Sequence, residues 1–482
     1  MLALLLTSAP AHATSTEKTR PDEPIATGGV INYRVSEDGQ YAVYLTDQDQ
    51  DQLYELYSLH LETGTAVQLA TTQEPNSWNI QIEISTDNRY VVYRLGLSDD
   101  LFSVPITGGT STKLNDEQQV VFPFQISPDN QYIVYLSNSP TSGWYSVPIT
   151  GGASVRIGDT ESLTQISSDG SYIVVATIKG QLYSIPVNGG TSTVLNEDLL
   201  PGFELGHANF RISPNGKQVV FIAAQGTGAV GLFNIPITGG TPVRISALPA
   251  EEASFIDPFF QISGDGNSVV YVLTQMGVKS ELYKASLKGE SPIRLQAAEG
   301  NAIKLYDISD DSAYIHYVID HSTNDTQELY GVSSDGGIPF KVGQATVLGF
   351  AYTPDNQHIV YISDQEIPFF FDLYKASLDG KTSVKLNHSL SEGEAIVNSQ
   401  ITSDSKTMVY AVNNSSQPFS LFNEIYQASL TGGEPIKLVE KPANGNPITG
   451  LTVSPNSEFI LYSVDRDGDG QDELYKRNLV SN

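Results

Sequence analysis

Cysteine is absent from this chain of 482 residues, and methionine (3) and tryptophan (2) are scarce. The lack of cysteine excludes disulfide bonds, thiolate metal sites and a cysteine nucleophile. Basic residues are also few: 26 lysines and arginines stand against 55 aspartates and glutamates, and the formal net charge is -29. Such a chain repels phosphate backbones, so we expect no nucleic-acid partner. No apolar run approaches the ~20 residues of a spanning helix, so we expect no transmembrane segment.

The N-terminus has the pattern of an export signal. A short apolar run, Leu2 to Leu6, precedes Ala11-His12-Ala13, which fits an A-x-A cleavage site. We therefore expect residues 1–13 to be a signal peptide, residues 14–22 to be an N-terminal tail, and residues 23–482 to form the folded protein. The pattern predicts a periplasmic or secreted protein.

The chain contains ten copies of one sequence repeat. The segment "ISPDNQYIVYLSNSPTSGWYSVPITGGASVRIG" (126–158) reappears as "ISTDNRYVVYRLGLSDDLFSVPITGGTSTKLN" (84–115). The turn that holds Asp38 in the first copy holds Asn456 in the tenth, so nine steps cover 418 residues at a mean period of about 46. Runs rich in Tyr, Val and Ile between Gly, Asn and Asp turns predict four short strands per unit, which we name A to D in chain order.

Four antiparallel strands per repeat of this length are the signature of a β-propeller blade. The "SPDN" turn, the "IVY" strand and the hairpin "LYKASLKGESPIRL" (282–295) resemble TolB-type (WD40-like) repeats, over nearly all of residues 25–480. The resemblance implies an all-β propeller of about ten four-stranded blades, and it is weak for function. We prefer a single closed ring, because no linker interrupts the repeats. The alternative is two smaller propellers in tandem, which would fit the usual four to eight blades better.

The tenth repeat stops after strand C, and a matching strand lies at the other end of the chain. The segment "EPIA" (23–26) resembles the strand D starts "EPIKL" (434–438) and "SPIRL" (291–295). We therefore expect residues 23–29 to complete the last blade and to close the ring without an open edge.

The segment "VDRDGDGQDELYK" (464–476) has three aspartates at alternate positions and a glycine after the third. A calcium-binding loop begins with the same pattern. We predict a calcium site there, although the twelfth position holds a lysine where an EF-hand has its closing glutamate. The candidate ligands are Asp465, Asp467, Asp469 and Glu473. The aligned loop of the first repeat lacks the glycine and is the weaker candidate, with Asp47, Asp49 and Asp51. An acidic turn without a metal is the alternative for both loops.

A second acidic position lies just before "LY", "LF" or "IY" at the start of strand C in seven of the ten repeats. It holds Glu55, Asp100, Glu281, Glu328, Asp372, Glu424 and Glu473. Strands that alternate up and down place every B–C loop and D–A connection on one face of the ring, which we call the loop face. Variable loops tend to hold binding residues, so we expect this face to bind a partner within a negative field. The predicted apolar anchors are Leu199, Leu200 and Phe203.

No catalytic motif accompanies the repeats. The G-x-S-x-G elbow that peptidase relatives of this repeat require is absent, and we assign no catalytic residue. The sequence therefore predicts an exported, non-catalytic binding or scaffold propeller that presents an acidic, loop-rich face to a protein or glycan. The alternative is a carbohydrate-active enzyme, a lyase or glycosidase, that uses carboxylates of this face; two carboxylates converging in a deep pocket would indicate it. Calcium is the one cofactor expected.

Overall fold

Ten antiparallel sheets make up the fold, each ordered A-B-C-D, and they are the blades of one ring. The structure, a computed structural model, describes residues 23–48, 53–72, 81–94, 100–115, 120–137, 142–159, 162–177, 179–197, 199–201, 209–224, 230–247, 254–275, 279–299, 301–321, 326–343, 345–414 and 421–480. Those residues contain 42 strands and no helix. The prediction of an all-β propeller with ten blades in a single ring is confirmed, and the tandem alternative is wrong.

Blades 1 to 5 follow one another along the chain, and strand A of blade 5 consists of two pieces. From A to D, their strands are Asn32–Val35, Tyr41–Thr46, Glu55–His60 and Thr65–Thr71 in blade 1; Gln81–Ile84, Tyr90–Arg94, Leu101–Pro105 and Thr112–Lys113 in blade 2; Val120–Ile126, Tyr132–Ser137, Gly143–Pro148 and Val155–Gly158 in blade 3; Ser162–Ile166, Tyr172–Thr177, Leu182–Pro186 and Thr193–Val194 in blade 4; and Leu200–Pro201 with Phe210–Ile212, Gln218–Ala224, Val230–Pro236 and Val243–Arg244 in blade 5.

Blades 6 to 10 have the same order, and strand A of blade 6 is again in two pieces. Their strands are Ser254–Ile256 with Gln261–Ile262, Ser268–Gln275, Lys279–Ser286 and Ile293–Glu299 in blade 6; Ala302–Ile308, Tyr314–His321, Thr326–Ser333 and Phe340–Lys341 in blade 7; Val347–Tyr352, His358–Ile367, Phe370–Ser377 and Ser383–Lys385 in blade 8; Glu394–Ile401, Thr407–Asn414, Glu424–Ser429 and Ile436–Glu440 in blade 9; and Ile448–Val453, Phe459–Val464, Glu473–Asn478 and Pro24–Ala26 in blade 10.

The hydrophobic core lies between the blades. Ten clusters of buried apolar side chains each join two consecutive blades, and one of them joins blade 10 to blade 1. Aromatic rings on strands B and C stack across the ladder in nine blades, as Tyr135 and Tyr145 do in blade 3 at 5.7 Å between centroids. Each blade therefore packs both faces of its sheet against its two neighbours.

The two ends of the described chain meet in blade 10. Pro24 pairs with Tyr475 and Ala26 with Leu474, so the first strand is the outer strand D of the last blade. Beside it, the Val30 amide donates to the Asp472 carbonyl at 2.7 Å. This pairing covers the edge of strand C in blade 10, as strand D does in the other blades.

Residues 1–22, on which the expected signal peptide and tail fall, lie outside the described residues. Within the described part of the chain, no helix is long and apolar enough to cross a membrane.

Candidate functional site

The B–C loop of blade 10 gathers its four predicted carboxylates. One side-chain oxygen from each of Asp465, Asp467, Asp469 and Glu473 lies within 4.8 Å of the other three. Asp465 and Glu473 are buried at the base of the loop, whereas the other two are exposed at its tip. Hard divalent cations bind several carboxylate oxygens at such spacing, so this cluster could hold a metal ion.

Backbone amides hold the same loop in shape. The Asp465 carboxylate accepts from the Gly468 amide at 2.7 Å and from the Gly470 amide at 3.0 Å. At the tip, the Asp469 amide donates to Asp467 at 3.1 Å. Aspartate side chains that cap nearby amides in this way stabilise a turn. The aspartates are therefore already fixed beside one another by the turn itself.

The corresponding loop of blade 1 begins with the same geometry. Glu55 accepts from the Gln48 amide at 3.1 Å, just as Glu473 accepts from the Arg466 amide at 3.0 Å. Asp47 donates its amide to the Gly28 carbonyl at 2.8 Å. Asp49 and Asp51, the other predicted ligands, lie outside the described residues, so the weaker calcium prediction stays untested.

The predicted carboxylates lie at the start of strand C, and in five blades they are paired with cations. In each of the five, a Lys or Arg on strand D, thirteen residues later, reaches the carboxylate. The pairs are Asp100–Lys113 at 2.8 Å, Glu281–Arg294 at 3.0 Å, Glu328–Lys341 at 2.7 Å, Asp372–Lys385 at 2.8 Å and Glu424–Lys437 at 2.5 Å. The pairing of strands C and D brings each acid and its cation together. In blade 6, Arg294 pairs with Tyr283, two residues after Glu281, and the corresponding residues pair in the other four blades.

These ion pairs change the electrostatics that the sequence predicts. Burial alone would raise the pKa of Glu281, but bonds from Lys279, Arg294 and Tyr283 outweigh burial and leave the pKa below its ordinary value. The pKa values of Glu328 and Glu424 are lowered in the same way, against burial, chiefly by Lys341 and Lys437. The carboxylates therefore hold strands C and D together, and cations compensate much of the expected negative field. The basic residue thirteen positions after each acid is the signal in the sequence that indicates these pairs.

The predicted apolar anchors occupy different places from those expected. Leu199 is partly buried and packs against the cluster between blades 4 and 5, so it does not present an exposed anchor. Leu200 begins a strand that pairs with strand B of blade 5 at Ala224. Phe203 lies outside the described residues.

An exposed apolar tip stands on the loop face of blade 8, and the sequence analysis did not single it out. Strands B and C of this blade extend past the sheet and end in a hairpin at Ile367–Phe370. Ile367, Phe369 and Phe370 are exposed there, and the Phe369 side chain is 85% exposed. The segment "EIPFFFD" (366–372) was the available signal, since a B–C loop with three consecutive phenylalanines is unusual among the repeats.

The tip is rigidly built despite its exposure. Pro368 and Phe369 are its two central residues, and Phe369 has a φ of +68°. This fits a type II turn, whose second central residue is ordinarily glycine because a side chain is strained at positive φ. The Asp364 carboxylate holds the turn by accepting from the Phe369 amide and from the Thr346 amide, both at 3.0 Å. Residues in such strained conformations cluster at functional sites.

No protein-family model and no curated protein matches this sequence. The fold is similar to that of a solved structure described as the crystal structure of the eukaryotic initiation factor, with 12% identity over 89% of this chain and 98% of that chain, at a TM-score of 0.55. Dipeptidyl peptidase 4 of Porphyromonas gingivalis matches at 12% identity over 93% of this chain and 66% of its own, with a TM-score of 0.48. An oligogalacturonate lyase in complex with manganese matches at 11% identity, over 84% and 96%, with a TM-score of 0.41. At 12% identity the first likeness shows a shared fold alone.

Proposed function

We propose that this protein is an exported, non-catalytic binding propeller of the TolB-like type that holds a protein or glycan partner on its loop face. The observation that carries the proposal is the exposed apolar tip of Ile367, Phe369 and Phe370. Export is supported by the apolar run and the A-x-A pattern at the N-terminus.

The construction of the tip supports binding over a merely tolerated loop. A solvent-exposed Phe at positive φ costs the free protein roughly 1–3 kcal/mol of strain, and glycine would remove that cost. Binding hot spots are enriched in aromatic side chains that enter a pocket on the partner. Because Asp364 and the hairpin ladder hold the tip before any contact, little ordering entropy is lost on binding. These properties favour a protein partner over a glycan.

The paired carboxylates at the start of strand C support the non-catalytic part of the proposal. A glycosidase needs a general acid whose pKa is raised towards the working pH. The pKa values of Glu281, Glu328 and Glu424 are instead lowered by their lysine and arginine partners, which outweigh burial. Groups paired in this way are suited to holding strands together.

Site-specific photocrosslinking tests the binding face. A photoreactive phenylalanine analogue at position 369 should capture one protein from an extracellular or periplasmic extract, and excess unlabelled propeller should suppress the capture. The matched control carries the analogue at Ile338, which is 94% exposed but lies beside the C–D turn on the opposite face. A glycan array probed with the same protein tests the glycan alternative. Equal capture from both positions, or capture from position 338 alone, would refute the assignment of the face.

We further propose that Asp465, Asp467, Asp469 and Glu473 bind one Ca²⁺ on the same face. The four clustered oxygens and the alternate spacing before Gly470 support calcium, which takes several carboxylate ligands in a flexible loop. Extracellular calcium modules bind with dissociation constants of roughly 10⁻⁴–10⁻³ M, so we expect an affinity in that range.

Titration calorimetry with calcium, and with magnesium in a second arm, measures this site. The test variant is Asp467→Asn with Asp469→Asn, because an Asn oxygen still caps the turn while both charges are lost. We expect calcium heat in the parent, at least a tenfold weaker affinity in the variant, and weaker binding of magnesium. If the parent gives no binding heat at millimolar calcium, the metal site is contradicted and the loop is an acidic turn without a metal.

A further inference from the structure

A pocket of about 470 Å³ opens on the inner wall of the ring, where strands A of blades 6, 7 and 8 lie side by side. Its walls are mostly apolar and include Phe259, Leu305, Leu348 and Phe350. Two aspartates, Asp257 and Asp307, also line it. Pockets of this size that combine apolar walls with a few polar groups are typical of small-ligand sites.

The apolar walls exist because three strands A are irregular at the same place. Four residues, 257–260, separate the two pieces of strand A in blade 6. Leu305 is an extra residue between Lys304 and Tyr306 in blade 7, and Leu348 is an extra residue in blade 8. A bulge re-aims a side chain, and here Phe259, Leu305 and Leu348 are 69%, 53% and 52% exposed. Leu305 has a φ of +33°, so the backbone is strained to hold it.

The two aspartates of the pocket lack the cations that the framework carboxylates have. Each is half-buried and accepts one backbone amide, from Phe259 to Asp257 and from Ile308 to Asp307, both at 2.8 Å. Among the described residues, neither forms an ion pair with a Lys, Arg or His. Arg211, whose field reaches Asp307, lies over the Phe260 ring at 5.9 Å from its centroid.

A half-buried carboxylate without a cationic partner is unfavourable in the free protein and attracts a cation. Burial raises the pKa of both Asp257 and Asp307, in agreement with this environment. The whole chain, at a net charge of -29, also draws cations towards its surface. An apolar wall next to uncompensated acid therefore complements a ligand that is cationic at one end and apolar at the other.

We propose that the pocket on blades 6 to 8 binds an organic cation, an amine or guanidinium carried on an apolar or aromatic body. The cation lies at Asp257 and Asp307, and the apolar body packs on Phe259, Leu305 and Leu348. The site uses no residue of the hairpin tip on blade 8. The proposal is therefore independent of the partner proposed for that tip.

A matched set of probes tests the charge requirement by calorimetry or fluorescence titration. The probes are 2-phenylethylamine, uncharged 2-phenylethanol and anionic phenylacetate, which share one aromatic body. We expect the amine to bind at least tenfold more tightly than the alcohol and the acid to bind least. The peptide acetyl-Leu-Lys-Leu-amide tests whether the same chemistry is accepted as a side chain of a polypeptide. An alcohol that binds as tightly as the amine would overturn the proposal.

Three variants locate the site. The first, Asp257→Asn with Asp307→Asn, should weaken amine binding at least tenfold and bring it level with the alcohol. Its matched control, Glu290→Gln with Asp335→Asn, removes two exposed charges from the C–D turns of the same blades and should change affinity less than twofold. The third, Gly349→Leu, fills the pocket at a position where a Cβ meets nothing within 4 Å, so it should fold normally and abolish binding. Unchanged amine affinity in Gly349→Leu would refute the location even if the aspartate variant misfolds.

Discussion

Carboxylates occupy two different environments within blade 6. Glu281, at the start of strand C, is largely buried and contacts Lys279, Arg294 and Tyr283. Asp257, in the irregular strand A of the same blade, is half-buried, accepts one backbone amide and forms no ion pair within the described part of the chain. Burial acts on both groups, yet the pKa of Glu281 is lowered and the pKa of Asp257 is raised. The difference is the presence of a basic partner.

The contrast separates the carboxylates at the start of strand C from the acids of the inner wall. Where an acid recurs at the start of strand C, five blades supply a Lys or Arg across the ladder, and the pair joins strands C and D. Where strand A is irregular in blades 6 to 8, Asp257 and Asp307 form no ion pair among the described residues, and apolar side chains remain exposed. We therefore assign the paired charges to the framework of the fold and propose a binding role only for the two unpaired aspartates.

The largest stability effect should come from breaking a framework pair. Glu281→Gln leaves Lys279 and Arg294 without their charged acceptor, and we expect it to lower the free energy of unfolding by about 2 kcal/mol, as for hydrogen bonds to charged groups. Asp257→Asn in the same blade is the matched control and should not lower stability, because an Asn oxygen can still accept the Phe259 amide. Urea unfolding followed by circular dichroism measures both. Equal losses in the two variants would remove the distinction between the environments.

The dependence of stability on pH should have opposite sign at the two kinds of site. The lowered pKa values of Glu281, Glu328 and Glu424 mean that their stabilisation is complete above the ordinary glutamate pKa of about 4.3 and is lost as pH falls through the lowered values. The raised pKa values of Asp257 and Asp307 mean that their contribution is complete below the ordinary aspartate pKa of about 3.9 and is lost as pH rises through the raised values.

Unfolding free energies at a series of pH values check these signs. The deficit of Glu281→Gln relative to the parent should shrink as the solution is acidified below about pH 4.3. By contrast, Asp257→Asn with Asp307→Asn should match the parent below about pH 3.9 and become the more stable protein as pH rises. Parallel curves for all three proteins would contradict the assignment.

The smallest effect should come from adding a cation at the corresponding position of strand D in blade 1. Gln68 occupies the position thirteen residues after Glu55, where five other blades have Lys or Arg. Gln68→Lys should raise the free energy of unfolding by about 0.5 kcal/mol, since the new side chain is exposed along most of its length. Gln68→Met, of similar length without charge, is the control. A loss of stability with lysine, or the same change with methionine, would show that the pairing rule does not extend to this blade.

The sequence determined the architecture more completely than the site. Ten copies of one repeat predict ten blades, and the likeness of residues 23–26 to strand D starts points to the strand that closes the ring, because both signals are local and periodic. The clustering of Asp465, Asp467 and Asp469 follows equally from spacing within one turn. Leu199 could not be placed, since a leucine in a long connection looks the same whether it packs inward or faces solvent. The bulges at Leu305 and Leu348 leave no mark in composition, because register is set by pairing across the sheet.

The affinity of Phe369→Gly for the partner captured at position 369 tests the binding function most directly. Glycine adopts a φ of +68° without strain, so this variant should be as stable as the parent or more stable by about 1 kcal/mol. It removes the aromatic anchor, so we expect the dissociation constant to rise at least tenfold. A variant that keeps its stability and loses the partner would support a rigid propeller that binds through its loop face. Unchanged affinity in this variant would contradict that function for the apolar tip.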